Sequence, residues 1–164
     1  MSDPDAGETR RIAIHYFDGT VRIADVVNRE VPYPDGKLIV SRTDPAGIIT
    51  HANQAFIDMS GYTEQELIGS NHCILRHPDM PAIAFQELWQ TVIAGKKWHG
   101  YVKNLCKDGA YYWVKATVIP NVRNGHLVGY TSVRRKPSRS KIAESEALYR
   151  ALLAAESAAN PAEK

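Results

Sequence analysis

Three strand-like segments in the second half of the chain set the core of the fold. They run from about Trp98 to Cys106, Tyr111 to Pro120 and His126 to Arg135, and are joined through Asp108-Gly109 and Asn124-Gly125. Both joining pairs supply the positive φ angles of tight hairpin turns, so the segments predict an antiparallel meander. In the middle segment both alternating sets of side chains include apolar groups, which indicates that both faces of the sheet are covered.

Shorter elements precede the meander. Turn residues, a capping-box spacing and apolar periodicity predict two strands and three helices. These elements are Leu38 to Thr43, Ile48 to His51, Asn53 to Met59, Thr63 to Ile68 and Pro81 to Ala94. Asp79 is predicted to cap the last of these helices. We therefore expect an α+β protein with a five-stranded antiparallel sheet and short helices on one face.

The chain is expected to divide into three parts. Residues 1–36 form an N-terminal leader and cap, residues 37–136 form the core domain, and residues 137–164 carry a C-terminal helix. The first nine residues are short and polar, which predicts a disordered leader. The pair Asp18-Gly19 then predicts a small β-hairpin within the cap.

The C-terminal helix is predicted from about Ser140 to Ser157. Ile142, Tyr149, Leu152 and Glu156 form an incomplete heptad-like row along it. Two weak heptads are compatible with a helix that leaves the domain toward a coiled coil. They are equally compatible with a helix that packs on its own domain, and the sequence leaves both placements open.

Charge and composition exclude several classes of protein. The 164 residues carry 20 Lys and Arg against 18 Asp and Glu, a balance unsuited to a protein that mainly neutralises nucleic-acid phosphates. No secretory signal or membrane-spanning run stands out, so we expect a cytoplasmic protein. The two cysteines, Cys73 and Cys106, form no CxxC pair and suggest no disulfide framework or metal site. Without a dinucleotide fingerprint or paired acid–base carboxylates, no enzymatic activity is predicted.

Seven short motifs carry a resemblance to a known family. They are Ile49-Thr50-His51-Ala52-Asn53, Ser60-Gly61-Tyr62, Arg76-His77-Pro78-Asp79-Met80-Pro81, Trp98-His99-Gly100, Val102-Lys103-Asn104, Tyr112-Trp113-Val114 and Gly129-Tyr130. With the order of elements, they resemble the flavin-binding PAS domain of bacterial aerotaxis receptors, over residues 38–135. The resemblance implies non-covalently bound FAD, whose redox state is reported to a downstream chemotaxis signalling domain or protein. It also implies a homodimer.

One strand is predicted to form a wall of the flavin cavity. Trp98, Gly100, Val102 and Asn104 share parity and therefore point to one face. Trp98 offers an indole for stacking, Gly100 offers a gap, and the Asn104 amide offers the donor and acceptor that a flavin edge requires. The resemblance also assigns flavin contact to Trp98 and Asn104.

Further site residues come mainly from the resemblance, which associates Arg76, His77 and Asp79 with FAD. The fork of donors on Arg76 suits a pyrophosphate or ribose. Asp79 could instead be only the helix cap, and His77 a loop histidine with a backbone partner. Trp89 is matched by the family but suits a plain core position equally well. Asn53 and Phe56 could touch the ring, with capping and core packing as the simpler interpretation.

Three alternatives share the fold. A light-sensing LOV domain needs a cysteine in a local Asn-Cys-Arg-Phe-Leu-Gln pattern, and here Asn71-His72-Cys73-Ile74-Leu75-Arg76 displaces it by one residue. One residue turns a helical side chain by about 100°, so Cys73 is predicted to be buried filler rather than an adduct-forming group. A haem sensor needs an axial histidine inside the cavity, and no histidine shares the inward parity of the Trp98 strand. A ligand-free dimerisation module is the third alternative.

Overall fold

The computed structural model describes residues 8–15 and 21–159, which form two antiparallel sheets and a set of helices. The strands are β1 Thr9–His15, β2 Val21–Val27, β3 Ile39–Thr43, β4 Ile49–Ala52, β5 Trp98–Leu105, β6 Tyr111–Arg123 and β7 His126–Arg135. The helices are α1 Gln54–Ser60, α2 Glu64–Leu67, a 3-10 helix at His72–Leu75, α3 Ala82–Ile93 and α4 Arg139–Ala159. The predicted α+β fold class is therefore confirmed.

The larger sheet has five antiparallel strands in the order β4-β3-β7-β6-β5. The meander β5-β6-β7 is the one that the two turn pairs predict, and Asn124 and Gly125 have φ angles of 52° and 78°. These positive values match a two-residue hairpin turn. The strand pairing places Gly100, Ala116 and Arg134 side by side across β5, β6 and β7.

Short helices cover the inner face of this sheet. The Asn53 side chain caps α1 by accepting a hydrogen bond from the Phe56 N–H, and Thr63 and Glu66 form the predicted capping box of α2. These caps satisfy backbone donors at the helix starts, which lets short helices form. The buried core between sheet and helices includes Phe56, Leu67 and Tyr112.

The predicted cap of the central helix is wrong. Pro81 precedes α3 and no side chain of its own segment caps it, while Asp79 turns instead toward Lys103 on β5. The carboxylate of Glu156, on α4, accepts hydrogen bonds from the Ala82 and Ile83 N–H groups at 3.2 and 3.0 Å. A distant residue therefore takes the capping position because the local carboxylate has a better cationic partner.

The N-terminal strands form the expected hairpin as a separate two-stranded sheet. Its predicted turn at Asp18-Gly19, and the leader before Glu8, lie outside the described residues. The hairpin packs against the β5–β6 turn, where the Val27 N–H donates to the Gly109 carbonyl at 2.9 Å. A Cβ at Gly109 would overlap the Asp25 carbonyl oxygen, so this close approach requires glycine.

Helix α4 lies on its own domain, which decides between the two placements left open by the sequence. Tyr149 stacks on Trp113 of β6 at 6.2 Å between ring centroids, and its hydroxyl donates to the Tyr101 carbonyl at 2.6 Å. Ile142 is buried at the start of the helix, and Glu156 reaches α3 near its end. In the predicted heptad-like row, Tyr149 thus contacts the outer side of the sheet, while Glu156 contacts α3. Within the described residues, no helix has the length and apolar character needed to cross a membrane.

Candidate ligand-binding site

A cavity of about 290 Å³ lies between the inner face of the sheet and the helices. Its walls come from β3, the β3–β4 turn, the 3-10 helix and its flanks, α3, β5, β6 and β7. The lining residues are Ser41, Thr43, Ala46, Gly47, Asn71, His72, Cys73, Leu75, Arg76, Phe85, Leu88, Trp89, Trp98, Val102, Asn104, Ala116, Val118, Tyr130, Ser132 and Arg134. Most of this wall is apolar, with a few polar groups, which is the usual composition of a small-molecule site.

The β5 wall follows the predicted parity, because Trp98, Val102 and Asn104 all line the cavity. The expected gap at Gly100 is filled, however. The six-membered part of the Trp98 indole lies directly over Gly100, so a Cβ there would overlap the ring atoms Cη2 and Cζ2. Gly100 therefore gives room to Trp98 itself and not to a ligand.

Three buried donors in the cavity wall have no hydrogen-bond partner among the described residues. They are Trp98 Nε1, Asn104 Nδ2 and Arg134 Nε. The three residues are only 5%, 4% and 2% exposed. Buried donors without acceptors cost about 1–3 kcal/mol each, so native proteins rarely keep them unpaired. The wall is therefore complementary to a ligand that presents acceptors.

Arg134 is held in a cluster that the sequence analysis did not identify. Its Nη2 donates to Ser41 Oγ at 2.6 Å, and its Nη1 lies 3.5 Å from His72 Nε2. The guanidinium also lies 4.4 Å from the centre of the Phe56 ring. Burial, reinforced by the Arg134 charge, lowers the pKa of His72 to about 3, so its imidazole is neutral at pH 7.

Arg76 and Trp89 lie in the cavity wall, in agreement with their selection from sequence. The Arg76 guanidinium sits 4.6 Å from the centre of the Phe85 ring, and its backbone forms an isolated bridge with Asn104. Trp89 meets Tyr130 edge to face at 5.5 Å. Trp89 therefore packs on the sheet and borders the cavity at the same time.

His77 and Asp79 do not line the cavity. His77 is 1% exposed, and its Nδ1 accepts a hydrogen bond from the Asp79 N–H at 3.0 Å. The Asp79 carboxylate accepts from Lys103 Nζ at 2.9 Å and forms an ion pair with Arg10 of the N-terminal hairpin at 3.5 Å. These two residues thus join the segment after Arg76 to β5 and to the hairpin.

The charges around Asp79 set the protonation of this junction. Burial opposes ionisation of Asp79, but the charge and hydrogen bond of Lys103 outweigh it and lower the pKa of the carboxyl. Burial lowers the pKa of His77 to about 3, with a further contribution from Lys103. At neutral pH the junction therefore holds an Asp79 carboxylate and a neutral His77 imidazole.

Asn53 and Phe56 also lie outside the cavity wall. The Asn53 side chain caps α1, and its amide nitrogen donates to the Leu38 carbonyl at 2.8 Å. Phe56 is fully buried beneath the Arg134 guanidinium. Both residues have the structural roles that were the simpler interpretation of the sequence, and Phe56 supports a group that does border the cavity.

The prediction that Cys73 is buried filler is wrong, because this residue is half-buried and contributes to the cavity wall. A 3-10 helix advances by about 120° per residue instead of 100°, which changes where each side chain of the His72–Leu75 turn points. Among the described residues, no three Asp, Glu, His or Cys side chains are grouped to hold a metal ion.

Comparison with known proteins gives the family. The family model described as PAS fold matches residues 49–134, which include β4, the four helices from α1 to α3, β5, β6 and nearly all of β7. The chain belongs to the PAS family. The resemblance to the PAS domain of aerotaxis receptors is confirmed by the aerotaxis receptor of Escherichia coli K12, which is 46% identical over 127 residues. That match covers 77% of this chain and 25% of the receptor.

Other PAS relatives are more distant. The nitrogen fixation regulatory protein of Klebsiella pneumoniae is 33% identical over 102 residues, which cover 62% of this chain and 21% of that protein. This PAS chain thus spans a quarter or less of the length of both curated relatives.

Among solved structures, the PAS domain of a Colwellia psychrerythraea protein superposes with a TM-score of 0.57 at 25% identity, covering 62% of this chain and 87% of that chain. The dark structure of the Aureochrome1 LOV photoreceptor has a TM-score of 0.57 at 21% identity, over 68% and 86%, and supports the fold alone.

Proposed function

We propose that this chain is an FAD-binding redox sensor for aerotaxis or energy taxis. In this proposal it is a cytoplasmic homodimer that passes the redox state of the flavin to a downstream chemotaxis signalling domain or protein. The observation that carries the proposal is the set of three buried donors without partners on an otherwise apolar cavity wall. The similarity to an aerotaxis receptor supports the signalling role.

The residues in the cavity fit a flavin. The isoalloxazine ring is flat and largely apolar, and its polar edge is rich in acceptors, so it can satisfy donors on Trp98, Asn104 and Arg134. Arg76 borders the same cavity and offers a fork of donors for the pyrophosphate of FAD. A solved LOV domain described with a flavin analogue shares the fold, at a TM-score of 0.56 and 24% identity. When bound, the flavin supplies reversible electron uptake.

For the remaining family-matched residues we propose indirect roles. Asp79 and His77 fix the segment that follows Arg76, through the Lys103 ion pair and the His77 hydrogen bond. Asn53 holds the start of α1, which carries Phe56 beneath Arg134. These residues would then affect FAD binding by positioning the groups that contact it.

The structure offers two routes from the cavity to α4. On β5, Asn104 faces the cavity while Tyr101 faces outward and accepts the Tyr149 hydrogen bond with its carbonyl. On the other side, α3 contributes Phe85, Leu88 and Trp89 to the cavity wall, and Glu156 of α4 caps its first turn. We propose that remaking the Asn104 hydrogen bond upon flavin reduction shifts β5 and biases how α4 docks.

The experiment that tests the site compares two asparagine variants. Asn104→Ala removes a cavity amide, and Asn121→Ala removes a partly buried amide of β6 that bonds to Thr131 away from the cavity. We expect Asn104→Ala to lower the FAD content of the purified protein or to shift its midpoint potential, and Asn121→Ala to change neither. Equal FAD content and potential in the wild type and Asn104→Ala would refute the cavity assignment.

A light-sensing role is the second candidate, because Cys73 borders the cavity. Under this alternative, blue light would bleach the flavin absorbance and the bleached state would recover in the dark, with both effects lost in Cys73→Ala. The redox-sensor proposal predicts that blue light leaves the spectrum of the oxidised wild-type protein unchanged. A reversible bleach that depends on Cys73 would decide for the photosensor.

A further inference from the structure

A second cavity, of about 230 Å³, lies on the outer side of the sheet where α4 begins. Its walls come from residues 30–33, between the N-terminal hairpin and β3, from Trp113 of β6, and from the residues that lead from β7 into α4. This outer cavity shares no lining residue with the inner cavity that Trp98 and Asn104 border. The two cavities are therefore separate sites.

One buried donor in the wall of the outer cavity has no partner. Trp113 is 3% exposed, and its Nε1 makes no hydrogen bond within the part of the chain that the structure describes. The ring is held in place by its stacking on Tyr149. An unpaired buried donor costs about 1–3 kcal/mol, and a bound molecule that presents an acceptor removes this cost.

The charged side chains of this wall favour an anionic ligand. They are Lys136 and Arg139, which are basic, and Glu30, the only acidic residue among the described residues that line the cavity. Arg139 Nη1 donates to both carboxylate oxygens of Glu30, so these two side chains largely satisfy each other. Lys136 pairs only with Asp35, which is 92% exposed and lies outside the wall. Such exposed pairs contribute little, so Lys136 can attract a second anion.

The remaining wall sets the size and polarity of the ligand. Val31, Pro32, Pro137 and Ile142 give it an apolar surface. The volume lies below the roughly 300–1,000 Å³ of sites for drug-sized ligands. In addition, α4 begins at the cavity, and the start of a helix carries a partial positive charge. These features together suit a small molecule with an apolar body and one negative group.

We propose that the outer cavity binds a small monocarboxylate with an apolar body. Its carboxylate accepts the Trp113 Nε1 hydrogen bond and is attracted by Lys136, while its body packs between Pro32 and Ile142. Such a ligand joins the segment before β3 to the sheet and to the start of α4, so it stabilises the docked helix by mass action. This site goes beyond the proposed flavin function and does not depend on it.

The test uses benzoate as the probe and the purified, ¹⁵N-labelled full chain. The signal of the Trp113 indole N–H is identified by its loss in Trp113→Phe. We expect benzoate to shift this signal in a saturable manner, with a dissociation constant in the millimolar range, as so few atoms allow. The Trp98 indole signal reports on the inner cavity and should stay in place. Benzyl alcohol, which has the same ring and no charge, should shift the Trp113 signal much less.

Three surface variants test the charge recognition with opposite signs. Lys136→Gln should weaken benzoate binding at least threefold. Glu30→Gln should strengthen it at least threefold, because it removes the opposing carboxylate and releases Arg139. Lys141→Gln is the matched control, since Lys141 pairs with Glu144 on α4 and lies outside the wall, and should change nothing. None of the three replaces a core side chain, so the test does not rely on the folding of Trp113→Phe.

Several outcomes would overturn the site. They are a Trp113 signal that stays in place at tens of millimolar benzoate, equal shifts with benzoate and benzyl alcohol, and a shift confined to Trp98. Equal benzoate affinities in the wild type, Lys136→Gln and Glu30→Gln would overturn it as well. A chain that binds benzoate at Trp113 but takes up no flavin would support the outer site and refute the proposed function alone.

Discussion

The carboxylate of Glu156, near the end of α4, accepts a hydrogen bond of 3.2 Å from the backbone N–H of Ala82, the first residue of α3. A second bond from the Ile83 N–H measures 3.0 Å. Helix starts leave backbone donors exposed and carry a partial positive charge, so a carboxylate there is stabilising. Helix α4 thereby holds α3, an element that borders the cavity.

Removing this carboxylate should destabilise the docked arrangement. We expect Glu156→Ala to lower the free energy of unfolding by about 1 kcal/mol, the usual cost of losing a cap. Amide exchange at Ala82 and Ile83 should accelerate as well. Glu144→Ala is the control, because Glu144 forms only an exposed ion pair with Lys141 on the same helix and should cost less than about 0.5 kcal/mol. Equal effects of the two changes on unfolding and exchange would contradict this role of Glu156.

Gly100 should tolerate no side chain while Trp98 keeps its place. Gly100→Ala puts a methyl group where the indole lies, so we expect a loss of about 1–3 kcal/mol in unfolding free energy and a shift in tryptophan fluorescence. Trp98→Leu in the same chain removes the ring that clashes. If Gly100→Ala lowers the free energy of unfolding less in the Trp98→Leu background than in the wild type, the result supports the overlap. If the losses of the two substitutions add up in the double variant, the result argues against it.

Mild acid should destabilise the fold through two histidines. His72 and His77 have pKa values of about 3 in the folded chain because burial disfavours their charged forms, against about 6.5 when unfolded. The unfolded state therefore binds more protons below pH 6.5, and stability falls as pH falls toward 3. In that pH window each imidazole should lower the free energy of unfolding by up to about 1.4 kcal/mol per pH unit.

Urea unfolding between pH 7 and 5 measures this effect before most carboxylates titrate. We expect a steep loss of stability in the wild type and a shallower one in His72→Gln and in His77→Gln. The control is His51→Gln, because His51 is exposed and its change should leave the slope as in the wild type. A wild-type stability that is flat over this range would contradict the burial of neutral imidazoles.

Arg76 should distinguish FAD from FMN. If its guanidinium binds the pyrophosphate, Arg76→Ala should weaken FAD about tenfold or more, the usual effect of losing a hydrogen bond to a charged group, and should weaken FMN less. Binding titrations of the apo-protein measure both affinities. Arg123→Ala, on the exposed end of β6, is the control and should affect neither. Equal losses for the two flavins would assign Arg76 a role in folding instead.

The elements that the sequence predicts well are those determined by neighbouring residues. Turn glycines, the Thr63–Glu66 capping box and the alternation on β5 are local signals, and the structure contains all of them. The Asp79 cap failed because its competitor, Glu156, lies 74 positions from Ala82 in the chain. The predicted gap at Gly100 is wrong because the parity of a strand position gives the direction of a side chain and not the direction in which a large ring folds back.

The Arg134 cluster shows the same limit. Ser41 and His72 lie 93 and 62 positions from Arg134, so no local pattern joins them. One signal was available in the sequence, since Arg134 shares parity on its strand with Tyr130 and Ser132, which also border the cavity. A charged residue at an inward position of a central strand indicates a buried group that needs a partner.

The most direct measurement is an anaerobic visible absorption spectrum of the purified chain before and after chemical reduction, with the chromophore identified after denaturation. We predict two bands near about 370 and 450 nm that bleach reversibly, and release of FAD. A strong band near about 400 nm would show haem and contradict the flavin sensor. A colourless, folded protein that takes up no added FAD would contradict it equally.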